Sequence, residues 1–191
     1  PQSSYSLLLT GLLSHSGYPV GSVMLLGVGR VLLRTDGAWL YQPYLALCAA
    51  LLALSLYVLF QPLIVNVRVR AALAFLAAQP ALLYGYAQVG ADKELTASFL
   101  LALGAVLARE TMLRSFPRPR QLLPIALPAG ALTVVYGPAA AVWGLPLLCA
   151  VAVPWLWRAA GRSEVQRALT AIGWLAGLSA AAALPALLVA R

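Results

Sequence analysis

The sequence predicts an all-α, polytopic membrane protein with six or seven membrane segments, several of them short or kinked by proline. Hydrophobic residues make up 62% of its 191 residues, and the mean hydropathy is +0.88. Charged residues make up only 9%, against about 25% in an ordinary soluble domain. The apolar runs are continuous and rich in Ala and Leu, which excludes the alternating pattern of a transmembrane β-barrel. Lipid is therefore the expected solvent, and the whole chain is treated as a single transmembrane domain.

Five apolar runs have about the 20 residues that a spanning helix needs. The run at 138–157 contains Pro146 and Pro154, and proline inside a helix removes a backbone hydrogen bond and kinks it. The other four runs are 38–60, 71–89, 95–113 and 168–190.

Two shorter runs, 19–34 and 121–136, have 16 residues each. At 1.5 Å per residue they reach roughly 24 Å, which is short of a full hydrocarbon core. We expect such segments to cross with little tilt, to pair as half-helices or to lie at the interface. Residues 1–18 are less apolar and predict an interfacial or re-entrant stretch.

The net charge of +8 comes from thirteen Lys/Arg against five Asp/Glu. The basic residues concentrate in three loops, at 63–70, 109–120 and 158–167, here called the arginine loops. The positive-inside rule places these loops in the cytoplasm, so residues 90–94 and Gly137 face outward. The charge then sets topology and contacts anionic lipid, and no nucleic-acid partner is predicted. The nine arginines are Arg68, Arg70, Arg109, Arg114, Arg118, Arg120, Arg158, Arg162 and Arg167.

The sequence indicates no metal site. Cys48 and Cys149 lie inside apolar runs without zinc or redox spacing, so we expect two small buried hydrophobic residues. No metalloprotease, nucleophile-elbow or phosphate-loop motif occurs. Glu110 lies beside Arg109 and four residues before Arg114, which predicts an ordinary ion pair on a helix.

The stretch YGYAQVGADKEL, residues 84–95, is the main candidate site. In one interpretation it is a solvated turn whose acids favour the next helix by about 0.3–1 kcal/mol each through the helix dipole. In the other, its hydroxyls, carboxylates and single lysine bind a sugar or a phosphate. The candidate substrate-binding residues are Tyr84, Tyr86, Gln88, Asp92, Lys93 and Glu94, with His15 and Tyr18 from an earlier polar stretch.

Two stretches resemble the GT-C membrane glycosyltransferases, particularly actinobacterial members of that group. In residues 16–59, SGYPVG opens a short segment, a turn at Thr35-Asp36-Gly37 follows, and a long apolar helix comes next. Residues 77–95 end in Gly90-Ala91-Asp92-Lys93-Glu94-Leu95, similar to a Gly-Gly-x-Lys-Glu-Leu ending but with alanine at position 91. The resemblance extends over most of residues 15–190.

The resemblance implies transfer of a sugar from a polyprenyl-phosphate donor to an extracytoplasmic acceptor in a bacterial inner membrane. It implies an inverting reaction with a carboxylate base, and in part of the group a divalent metal. In this family the catalytic carboxylate lies in the first extracytoplasmic loop. Residues 1–35 contain no acid that could replace it. The chain is therefore expected to be a central fragment of the enzyme, and its catalytic residues are not assigned.

Two other functions are consistent with the sequence. A non-catalytic small membrane subunit of a larger complex would explain the lack of a complete catalytic constellation. A transporter or flippase fragment would use proline-broken helices.

The family pattern and the positive-inside rule make different predictions for segment 19–34. In the family pattern the Tyr-Pro turn faces outward and segment 19–34 runs from it toward the cytoplasm. This agrees with cytoplasmic arginine loops only if 19–34 enters the membrane and returns to the same side.

Overall fold

The computed structural model describes residues 21–79, 85, 92–113, 117–159 and 161–189. They form seven α-helices and one short 3-10 helix, and no β-strand occurs within these ranges. The α-helices are α1 Gly21–Leu33, α2 Gly37–Leu59, α3 Val67–Ala77, α4 Asp92–Met112, α5 Pro119–Tyr136, α6 Ala140–Arg158 and α7 Arg162–Val189, with the 3-10 helix at Gly137–Ala139.

Four of these helices are long and apolar enough to cross a membrane: α2, α4, α6 and the part of α7 from Arg162 to Leu184. The predicted class, an all-α membrane protein, is confirmed to this extent, and six or seven spans are not. Helix α1 has 13 residues and reaches roughly 20 Å. Helix α5 has 18 residues, with Pro124 and Pro128 inside it.

Asparagine and aspartate side chains set two of the helix starts. Asp36 Oδ1 accepts a hydrogen bond of 3.1 Å from the backbone N–H of Ala38. Asn66 Oδ1 accepts bonds of 3.0 and 3.3 Å from the N–H groups of Arg68 and Val69. These caps satisfy N–H groups that have no partner within the helix. Helix α3 therefore begins at Val67 rather than at the predicted residue 71, and it ends at Ala77.

The main core lies among α4, α5, α6 and α7. Its largest fully buried side chains are Trp155, Leu122 and Val151. Helices α5 and α7 make the most extensive contact in the bundle. They approach closely at Gly130, where an added Cβ would lie 2.7 Å from the Cβ of Ala182 and 2.8 Å from the carbonyl oxygen of Ser179. Small residues at such contacts let two helix backbones pack tightly in lipid.

Contacts at the helix ends support the predicted grouping of loops. At one end, the starts of α2 and α4 meet through Tyr44 and Thr96. At the other end, the Arg158 guanidinium at the end of α6 donates to the carbonyl of Met112 at the end of α4. Helices α2, α4 and α6 therefore run in the same direction. The described arginine loops lie at the end opposite Asp92.

Two side chains differ from their predicted surroundings. Arg70 is only 9% exposed, although its loop was expected to contact anionic lipid. Its guanidinium carbon lies 4.3 Å from the ring centroid of Tyr57, and its nitrogens donate to the Tyr57 hydroxyl at 2.7 Å and the Ile64 carbonyl at 3.3 Å. Arg70 thus connects the start of α3 to the end of α2 through its contacts with Tyr57. Cys48 is buried as predicted, whereas Cys149 is exposed on α6.

The close approach of α5 and α7 leads to a stability prediction. Gly130→Ala should destabilise the protein by about 1–3 kcal/mol, because the new methyl group overlaps Ala182 and the α7 backbone. Thermal unfolding of the purified protein in detergent measures the effect.

Gly173→Ala is the matched control. Gly173 lies within α7, the helix that Gly130 of α5 packs against, but a Cβ at Gly173 would meet no heavy atom within 4 Å. Equal unfolding midpoints for the two variants would contradict tight packing at Gly130.

Candidate functional site

A buried polar chain joins the start of α4 to α2. The Thr96 hydroxyl donates to the carbonyl oxygen of Asp92 at 3.0 Å. The Tyr44 hydroxyl lies 2.7 Å from Thr96 Oγ1. Because the single Thr96 proton is used toward Asp92, Tyr44 is the donor in this second bond. Tyr44, Thr96 and Asp92 are all buried, and the Cys48 sulfur lies 4.0 Å from Thr96 Oγ1.

The Asp92 carboxylate is enclosed beside this chain. The residue is 5% exposed, and Oδ2 finds no hydrogen-bond partner among the residues the structure describes. Asp92 also lies within electrostatic range of Tyr41 and Tyr44 on α2. A buried charged group without a full set of partners is costly. The interpretation as a fully solvated turn is therefore wrong for Asp92.

Glu94 and Lys93 face the other side of the helix start. Both are half-buried, and both lie within electrostatic range of Tyr136 at the end of α5. Glu94 Oε2 is also buried without a hydrogen-bond partner in the described ranges. Asp92 and Glu94 belong to the first turn of α4, where the helix dipole favours negative charge, as predicted. The helix begins at Asp92 instead of residue 95, so the charges are part of it.

The structure thus brings part of the predicted site together. Asp92 meets α2, and Lys93 and Glu94 approach the end of α5. The other candidates, Tyr84, Tyr86, Gln88, His15 and Tyr18, lie outside the described residues. Glu110 forms a long 4.0 Å ion pair with Arg109 on an exposed surface, and Arg114 lies outside the described ranges.

Sequence reasoning missed the partners of Asp92. Tyr44 and Cys48 are four residues apart on α2 and share a helix face, and Thr96 follows Asp92 by one turn of α4. A polar side chain within an apolar run faces protein or a cavity, and this signal was available for Tyr44 and Thr96. Their pairing across 52 residues of sequence required the tertiary fold.

The described ranges hold no cluster of three His, Cys, Asp or Glu side chains that could bind a metal ion. The site consists there of carboxylate oxygens and one ammonium group at the start of α4, with tyrosine hydroxyls from α2 and α5 nearby. Carboxylate and hydroxyl oxygens accept hydrogen bonds from ligand hydroxyls, and the ammonium group pairs with anions.

A separate apolar cavity of about 340 Å³ lies deeper in the bundle, among α4, α5, α6 and α7. Gly104 and Leu100 line it from α4, Thr133 from α5, Gly144 from α6 and Ser179 from α7. Gly137 and Ala140 bound it toward the end of the bundle that carries Tyr136. The cavity is distinct from the Tyr44–Thr96–Asp92 chain, because no residue of that chain lines it.

Comparison with protein-family models, with curated protein sequences and with solved structures gives no match.

The Tyr44–Thr96 hydrogen bond predicts that substitutions at these two positions have coupled effects on the free energy of unfolding. Tyr44→Phe should destabilise the protein by about 1 kcal/mol, because it removes the buried Tyr44–Thr96 hydrogen bond. Thr96→Val should cost more, about 1–2 kcal/mol, because it also removes the bond from Thr96 to the Asp92 carbonyl. The double variant should lose less than the sum of the two, since both changes delete the same bond. A double-mutant cycle of unfolding free energies in detergent measures the coupling. Strict additivity would contradict a direct Tyr44–Thr96 bond.

Proposed function

We propose that this chain is part of a membrane glycosyltransferase that moves a sugar from a polyprenyl-phosphate donor to an extracytoplasmic acceptor. The observation that carries the proposal is the pair of buried carboxylate oxygens at the start of α4, Asp92 Oδ2 and Glu94 Oε2, which have no hydrogen-bond donor in the described part of the chain. The resemblance of residues 16–59 and 77–95 to GT-C enzymes supports the same activity.

Sugar hydroxyls would supply the missing donors. A carboxylate oxygen buried without a donor has lost its contact with water, and a ligand O–H restores the lost interaction. Hydrogen bonds to charged groups contribute about 1.5–3 kcal/mol each, which is enough to orient a sugar. Lys93, between the two acids in sequence, would contact the donor phosphate as a charge-assisted donor. The group that activates the acceptor is not assigned.

The proposed setting is a bacterial inner membrane, with Asp92–Glu94 outward and the arginine loops in the cytoplasm. Arg158 contacts Met112 at the end of α4, and Asp92 lies at the opposite end of the same helix, which supports this orientation. In the same proposal α1, α3 and α5 belong to additional short membrane segments, which with the four candidate spans gives the seven segments at the upper end of the range indicated by the sequence. The short length of α1 supports an entry into the membrane that does not cross it.

Transfer activity tests the roles of the polar residues. In the enzyme that contains this chain, Lys93→Ala and Asp92→Asn should each lower transfer from polyprenyl-phosphate-linked sugars by roughly 10- to 100-fold, the rate equivalent of losing one charged hydrogen bond. Asparagine keeps the shape of the aspartate side chain, so the fold is retained.

Glu110→Gln serves as the matched control, because Glu110 is an exposed acid at the other end of α4. Its activity should stay near wild type. Unchanged turnover in the Lys93 and Asp92 variants would overturn the proposed contacts and would favour a non-catalytic membrane subunit.

Cysteine labelling in intact cells tests the orientation. In a background with Cys48 and Cys149 replaced by Ala, Lys93→Cys should react with a membrane-impermeant maleimide added outside. Arg120→Cys, in an arginine loop at the start of α5, should react only after the membrane is permeabilised. The reverse pattern would place the arginine loops outside and contradict the orientation.

A further inference from the structure

The apolar cavity opens sideways between α6 and α7. Leu145, which lines it from α6, is 55% exposed, and Ala176, which lines it from α7, is also exposed. Ala176 lies 14 residues into α7, or roughly 20 Å from its start. Because α6 and α7 are both candidate spans, an opening half-way along α7 faces the hydrocarbon layer of the membrane.

The lining residues of the cavity offer no free side-chain hydrogen-bond donor. Only Thr133 and Ser179 among its lining residues carry a side-chain hydroxyl. Thr133 donates to the Ala129 carbonyl at 3.1 Å, and Ser179 donates to the Leu175 carbonyl at 2.8 Å. Both hydroxyl protons are therefore used within their own helices. A polar occupant would lose hydrogen bonds on entry, whereas an aliphatic one would lose none.

The inner side of the cavity is closed by the packed core. Leu175 and Ile125 line the cavity and also belong to the cluster around Leu122, Val151 and Trp155. The space is thus a lateral pocket with its mouth toward lipid chains.

We infer that this cavity is a binding site for part of one acyl chain of a bilayer phospholipid, which enters between α6 and α7. The volume of about 340 Å³ holds on the order of ten methylene-sized groups, taking roughly 30 Å³ for a group of the size of water. Bilayer acyl chains are the aliphatic molecules that surround the mouth at the highest concentration, so they are its occupant. The site is independent of the proposed glycosyltransferase activity.

Photocrosslinking in reconstituted bilayers tests the site. The full protein is placed in phosphatidylcholine vesicles doped with a phosphatidylcholine that carries a diazirine in the middle of one acyl chain. After irradiation and digestion, mass spectrometry should find adducts on cavity-facing side chains such as Leu148 and Leu175, in addition to those on exposed residues. Leu175 is only 4% exposed, so lipid that stays outside the bundle cannot label it.

Two glycine variants distinguish the cavity from the outer surface. Gly144→Leu should reduce the Leu148 and Leu175 adducts at least fivefold, because Gly144 lines the cavity and a Cβ there meets no heavy atom within 4 Å. Gly173→Leu is the matched control, since Gly173 has equally open surroundings but does not line the cavity. Ala176→Phe fills the cavity from the opposite wall and should give the same loss as Gly144→Leu. Thermal unfolding of each variant shows that it is folded.

Three outcomes would overturn the inference. Absence of adducts on Leu148 and Leu175 in the wild type would mean that the cavity takes no lipid chain. Equal labelling of these residues in Gly144→Leu, Ala176→Phe and wild type would mean that the chain reaches them by another route. Loss of the adducts when a small fraction of polyprenyl phosphate is added to the vesicles would assign the cavity to a prenyl chain instead.

Discussion

The absence of water in the hydrocarbon layer constrains every polar group in this bundle. A backbone or side-chain donor without a partner inside the protein is costly, because lipid supplies none. Among the described residues, Arg70 Nε and Trp155 Nε1 are buried donors without such a partner. Seven of the described Ser and Thr side chains share one local arrangement, in which the hydroxyl donates to the carbonyl four residues earlier in the same helix. The residues that do so are Ser55, Thr96, Ser98, Thr111, Thr133, Thr170 and Ser179.

The acids at the start of α4 differ from these hydroxyl groups in their hydrogen bonding. Asp92 and Glu94 each keep a buried carboxylate oxygen without a partner in the described ranges, whereas Thr96, one turn further on, is bonded twice. The Tyr44–Thr96 bond fixes this turn of α4 against α2, so the acids are held in place by packing on both sides. An unsatisfied acceptor on a rigid element is suited to bind a donor from a ligand, and the proposed sugar contact rests on this arrangement.

The same constraint explains why the cavity is apolar and where it forms. Helices α5 and α7 pack through Gly130 with almost no space between them. Helices α6 and α7 contact each other far less extensively, and Gly144 adds no side chain at the gap. The space left between α6 and α7 is walled by alkyl groups, since its two hydroxyls already bond to their own helices. Tight packing at one interface and loose packing at the next thus produce a lateral pocket within one bundle.

The sequence by itself determined the class of the protein, most of its helices and the grouping of its charges. Composition and run length required lipid as solvent, and the contrast between the arginine loops and Asp92–Glu94 separated the two ends of the bundle. Boundaries were less predictable, because Asn66 and Asp92 extend α3 and α4 toward their N-termini by local capping and dipole effects that run length does not record.

Only the tertiary structure decided what surrounds each charge. One interpretation of the sequence placed Asp92 in a solvated turn, and Arg70 was expected in a loop that contacts anionic lipid. In the structure, Asp92 is buried against Tyr44 and Thr96, and Arg70 is buried against Tyr57. Tyr57 precedes Arg70 by 13 residues, and Tyr44 and Thr96, which enclose Asp92 together, are 52 residues apart in sequence. Burial depends on which helices pack together, and apolar helices rich in Ala and Leu are too similar in sequence to reveal their neighbours.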